Sequence, residues 1–146
     1  MKADILKGWV DYLSKNEYVF TVDEEKGVVS FQKIYEWIGE TCSVEVKVGD
    51  NNYRAYLKVP VTVKEGHREQ VLEYIFLANG NPLFTHYTYD CEENNVFCVH
   101  GTFCNMLTDE IIELTLDSVS SFSGHFHKRL KLVAEENLSA EEAYKL

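Results

Sequence analysis

Apolar and polar positions along this chain of 146 residues change rhythm several times. Ile5, Leu6, Trp9, Val10 and Leu13 recur at three- and four-residue spacing, which predicts an amphipathic helix from Ala3 to Lys15, stopped at Asn16. The period then drops to two. Tyr18 to Asp23 carries Tyr18, Phe20 and Val22 on one side, and after the polar turn Glu24 to Gly27 the chain returns as Val28 to Tyr35. Tyr35 to Thr41 fits either a helical turn or a strand extension. Cys42 to Val48 and Tyr53 to Val59 alternate cleanly around Gly49, Asp50, Asn51 and Asn52, which predicts a second hairpin. Pro60 restricts its neighbours to a strand end or an edge, with Val61 to Val63 as the continuation. Helical spacing resumes over Glu65 to Ala78, where Val71, Leu72, Ile75, Phe76 and Asn79 trace one face. Asn79 and Gly80 end this helix and Pro82 prevents its continuation. Leu83 to Asp90 and Val96 to Phe103 read as a third hairpin, joined through Cys91 to Asn95. Thr108 is an N-cap, with Asp109 and Glu110 well placed in the first turn of a long helix. Its apolar stripe is Ile112, Leu116, Val119, Phe122, Phe126, Leu130 and Val133, and Gly124 marks a bend or a close contact. Ser139 and Glu142 form a capping box before a short acidic tail helix over residues 139–146.

Strands segregated from helices and joined by short turns predict an α+β fold: an antiparallel sheet of five or six strands packed by three helices. Residues 1–138 form one domain in this reading. A faint echo links Val10 to Phe31 with Leu72 to Val99. Each runs through a helix end, a Tyr (Tyr12 or Tyr74), an Asn (Asn16 or Asn79), a strand and an acidic turn. Both an internal repeat and the generic likeness of helix–hairpin units fit the echo.

The net charge of −10 makes duplex DNA and anionic membrane surfaces poor partners, because phosphate binding needs clustered Lys and Arg. Basic or apolar protein surfaces suit it better. The segment MKADILKGWVDYL interleaves charge with apolar residues and lacks a signal-peptide core, and no run approaches the ~20 apolar residues of a membrane span. A cytoplasmic location is therefore expected, with Cys42, Cys91, Cys98 and Cys104 reduced. No cofactor is expected.

Candidate chemistry is sparse. Cys98 and His100 lie two apart on one strand and so share a face, His86 sits on the paired strand, and Cys104 lies just beyond. The spacing Cys-x-His-x3-Cys matches no structural zinc pattern, so no metal site is assigned. A Cys98–His86 nucleophile pair lacks an evident oxyanion loop or orienting Asn. His125 and His127 point in different directions on a helix and are read as a solvated flank. The turn with Asp90, Glu92 and Glu93 lacks the Gly and terminal Glu of a calcium loop. Tyr87 and Tyr89 alternate with Phe84, His86 and Thr88, so one set should face away from the helices; an aromatic outer face that serves as an interface and ordinary cross-strand packing both fit.

HREQVLEYIFLANGNPLF, the acidic hairpin YTYDCEENNVFCV and LTDEIIELTLDSV together resemble the YbjN-like proteins, whose fold is shared with the class I chaperones of bacterial type III secretion. The resemblance covers Tyr53 to Val133. It rests on a helix ending at Asn79, a strand leading to the turn at Asp90, and a last helix opening with Leu107, Thr108, Asp109 and Glu110. It implies a small, acidic, often dimeric bacterial protein that holds an unfolded protein segment or acts as a regulator.

Taken together, these features point to a non-enzymatic protein-interaction module, chaperone-like or regulatory, with a protein or peptide partner. The alternative is a small-molecule-binding protein or a cysteine/histidine enzyme built on Cys98, His100 and His86. Candidate interface residues are Tyr87, Tyr89, Phe122, Phe126, Leu130 and Val133. A homodimer is expected from length. The long stripe covers about 37 Å at ~1.5 Å per residue, whereas six strands at ~4.8 Å spacing are about 24 Å across. The end carrying Phe126, Leu130 and Val133 would then overhang and meet a second copy, unless Gly124 bends the helix back over the sheet edge or Ser139 to Leu146 fold over the stripe.

Overall fold

Period-two alternation aligns one apolar row across the whole sheet. In the computed structural model, which describes residues 2–37, 39–80 and 84–146, the elements are α1 (Lys2–Lys15), β1 (Phe20–Asp23), β2 (Val28–Tyr35), β3 (Glu40–Val48), β4 (Asn52–Lys58), α2 (Arg68–Asn79), β5 (Thr85–Asp90), β6 (Asn95–Phe103), α3 (Asp109–Glu135) and α4 (Ala140–Tyr144). The six strands lie in the order β1-β2-β3-β4-β6-β5, and each neighbouring pair is antiparallel. The register places Phe20 opposite Phe31, Phe31 opposite Val44, Val44 opposite Leu57, Leu57 opposite Cys98, and Cys98 opposite Tyr87. That row faces the helices. The fold is the expected α+β arrangement, with six strands and three main helices on one face.

α1 and α3 cover the row. Trp9 and Leu13 from α1 and Ile112, Leu116 and Val119 from α3 are buried against it, and the Trp9 ring meets Tyr53 edge-on at 5.4 Å. Each fully buried side chain of this size contributes about 1.5–3 kcal/mol. β2 extends to Tyr35, and a turn closed by the Gly39 amide on the Tyr35 carbonyl leads into β3. Trp37 in that turn folds back over α3. Its indole N–H donates to Ser120 Oγ at 2.8 Å, and its ring lies against Gly124, where a Cβ would sit only 3.1 Å from the ring. Gly124 is thus a close-contact position.

α2 departs from expectation in two ways. It starts at Arg68 rather than Glu65, because Gly66 turns at φ 83 and His67, at the N-cap position, makes no side-chain cap and instead places its Nδ1 2.9 Å from the Val133 carbonyl oxygen. Its buried face is Val71, Tyr74, Ile75 and Ala78, whereas Leu72 is partly exposed and Phe76 is 78% exposed. The helix lies beside β5 and against both α3 and α4, which turns Tyr74 rather than Phe76 inward.

The expected overhang of α3 is corrected by what covers it. Leu130 and Val133 are both 0% exposed within one chain. Val61 to Val63 do not extend the sheet; after Pro60 the chain runs along α3, with Thr62 N donating to Glu135 Oε1 at 3.0 Å and Lys64 N to the Ala134 carbonyl at 3.0 Å. α4 closes the other side. Its capping box of Ser139 and Glu142 is formed as predicted, Ala140 N donates to Gln70 Oε1 at 2.8 Å, and Ala140 and Ala143 are fully buried. The predicted strand start at Leu83 and the break at Pro82 lie outside the described residues.

Candidate binding surface

Strand parity separates the residues that a Cys–His site would need. Cys98 and His100 point into the helix layer, but His86 pairs with Val99 and points to the opposite face of the sheet. Cys98 is fully buried, and its thiol donates to the Val119 carbonyl at 3.6 Å. Burial pushes that thiol strongly up, the reverse of what a nucleophile needs. His100 Nδ1 lies 2.8 Å from Thr85 Oγ1. Burial raises the Cys104 thiol and pushes Cys42 up to about 11. Among the described residues no group of three His, Cys, Asp or Glu side chains is placed to hold a metal ion. The acidic turn is held locally, by Glu92 N donating to Asp90 Oδ1 at 3.0 Å.

The histidine pair on α3 is only half as expected. His125 is exposed, edge-on to Phe126, but His127 is buried, beside Trp37 and with Nε2 3.4 Å from the Pro60 carbonyl oxygen. The segment after Pro60 covers it, and sequence spacing gave no sign of that crossing.

The six interface candidates also lie on the helix side. Tyr87 is 2% exposed, with Phe122 and Phe126 edge-on to its ring at 5.0 and 6.2 Å. Tyr89, Phe122 and Phe126 are half-buried; Leu130 and Val133 are core. Of the two alternating sets, the outward one is His86 and Thr88, with Phe84 just before the strand, whereas Tyr87 and Tyr89 share the parity of Thr85 and face the helices.

That outward set belongs to the bare face of the sheet. Between β4, β6 and β5 lies a groove of about 410 Å³, lined by Arg54, Tyr56, Phe84, His86, Val99 and Phe103 among others. Val99 is buried at its floor, while Phe84 and Phe103 are 59% and 81% exposed at its margins. Tyr56 meets Phe97 edge-on at 6.2 Å and carries Lys47 Nζ over its ring at 5.0 Å. His86 is held below the ordinary imidazole value, first by burial and then by Arg54.

The two sheet edges differ. Asn79, at the end of α2, donates from Nδ2 to the Tyr87 carbonyl at 3.0 Å and accepts the Tyr87 N–H at Oδ1 at 2.7 Å. It occupies the middle of the β5 edge as a neighbouring strand would. Asn16, its counterpart in the sequence echo, instead donates back to the Tyr12 carbonyl of its own helix. The echo thus covers element order but not the role of the asparagine.

One six-stranded antiparallel sheet with three main helices on one face is a YbjN-like α+β fold. Solved structures share it. A chain of the ExsC–ExsE complex superposes with a TM-score of 0.59 at 14% identity, covering 86% of this chain and 94% of that one. YbjN from E. coli, a proposed transcription regulator, superposes with a TM-score of 0.59 at 9% identity, covering 84% and 91%. At such identities the likeness is one of fold. No protein-family model and no curated protein sequence matches the chain. No helix among the described residues is long and apolar enough to cross a membrane.

Proposed function

We propose that this protein is a non-enzymatic interaction module, chaperone-like or regulatory, that holds a protein or peptide partner on the bare face of its sheet. The observation that carries the reading is the aromatic groove between β4, β6 and β5, with Phe84 and Phe103 exposed beside it. Large exposed rings around a concave floor are the usual anchors of a protein interface. The likeness to a chain crystallised with a protein partner supports it. The Cys–His alternative is disfavoured because His86 lies across the sheet from Cys98 and His100. The four thiols are free, which agrees with a bacterial cytoplasm. Within this proposal a homodimer joins through the β1 edge, since the α3 stripe is already covered and the bare face is taken by the partner.

The test is a titration with a co-purified partner, once identified and purified. Phe84→Ser and Phe103→Ser should each weaken binding about tenfold or more, the range of interface anchors. Leu114→Ser, an exposed position on α3, should leave affinity unchanged. A partner that tolerates both groove variants and loses affinity at Leu114 refutes the bare face as the site.

A further inference from the structure

The groove holds a cation with no acid beside it among the described residues, in a chain whose net charge is −10. Among the described residues Arg54 is the charged side chain of the lining, and no acidic one lines the groove. Its neighbours differ. An adjoining depression sets Lys58 with Glu17 and Glu45, a more distant one sets Lys58 and Lys131 with Glu40, Glu93 and Glu135, and Lys47 pairs with Glu45 at 3.7 Å. Arg54 makes no ion pair among the described residues.

The strand opposite is built to receive it. Gly101 is the register partner of Arg54, and a Cβ there would lie 3.1 Å from Arg54 Cγ. Glycine lets the arginine stem lie flat across β6, so the guanidinium stays in the groove. Around it stand Phe84 and Phe103, and an imidazole, His86, held below its ordinary value. The planar guanidinium fork matches a carboxylate through two parallel hydrogen bonds.

We propose that Arg54 is a carboxylate subsite, and that the groove takes an extended peptide segment carrying Asp or Glu beside a large apolar residue. The acid meets Arg54 and the apolar side chain lies against Phe84 and Phe103. Charge complementarity selects this occupant, because a basic segment would meet an uncompensated Arg54. The proposal rests on the reading of the bare face as a peptide-binding surface.

A random peptide library panned against the wild-type chain and against Arg54→Gln tests it, with both chains checked by urea unfolding. Arg54 is exposed, so the variant should keep its fold. The wild type should enrich peptides with an acid next to an aromatic or large aliphatic residue. An enriched peptide should lose about tenfold in affinity when its acid is made an amide, the size of one charge-assisted contact. Arg54→Gln should abolish that difference, and Phe103→Ser should weaken acid and amide peptides alike. Enrichment without acid preference, or a preference that survives Arg54→Gln, overturns the subsite and leaves the peptide-binding reading standing. No enrichment by the wild type overturns both. A wild-type mass of two chains that falls to one in Arg54→Gln overturns the peptide as occupant in favour of a second copy.

Discussion

Asn79 stands where a seventh strand would, and two hydrogen bonds to the Tyr87 backbone hold it there. Replacing it with Ala leaves a half-buried N–H and C=O without their partners. Each such group costs about 1–3 kcal/mol when it stays dry. We expect Asn79→Ala to lower unfolding stability by roughly 2 kcal/mol, read from its urea midpoint, and Asn79→Asp to fall between the two because it keeps only the acceptor. A loss no greater than that of Leu114→Ala would show that water replaces the side chain freely. In the sequence Asn79 reads as a helix stop, which it is. Nothing in the spacing reveals that its amide turns onto a strand, because that depends on where β5 comes to rest. His127 is a similar case, its burial being decided by the segment after Pro60.

At the scale of elements, what was legible is what local chemistry dictates. β2 matches its predicted bounds, the capping box at Ser139 is formed, and Thr108 caps α3 with its Oγ1 accepting from Ile111 N at 3.3 Å. What was not legible is which surface covers which. The stripe on α3 is buried at Ile112, Leu116, Val119, Leu130 and Val133, but midway Ser123 and His127 are buried and Phe122 and Phe126 only half so; its last turns are covered by α4, a cover the sequence offered, and by the strand-to-helix crossing, which it did not. The rotation of α2 is hidden for the same reason: Val71, Leu72, Ile75 and Phe76 make an acceptable face until Tyr74 is seen packing towards Phe126 at 6.5 Å. The bare-face groove is hidden because its residues come from three strands, and Arg54 and Gly101 become neighbours only through the β4–β6 pairing. Leu130→Asp tests the covered stripe. An unpaired charge placed at this fully buried site should cost at least about 3 kcal/mol and unfold the chain at lower urea. A stable Leu130→Asp chain, altered only in its mass by light scattering, would restore the interface expectation.

Across the whole molecule, three imidazoles tie stability to pH. His86, His100 and His127 are all held below the ordinary value of 6.5, in each case first by burial. Below that value the unfolded chain takes up protons that the folded chain resists, so stability is complete above pH 6.5 and drains away as the pH falls. The urea midpoint should fall between about pH 7.5 and about pH 5.5, with a shallower slope in His100→Gln; a flat profile would contradict the burial of these rings. The plugged β5 edge has a consequence at the same scale. In a polymer chemist's terms, a sheet with two reactive ends is a bifunctional monomer and grows without limit. With Asn79 quenching one end, this sheet is monofunctional: joining through β1 consumes its single reactive end in one step, so edge-on growth terminates at a pair and never propagates into a fibre.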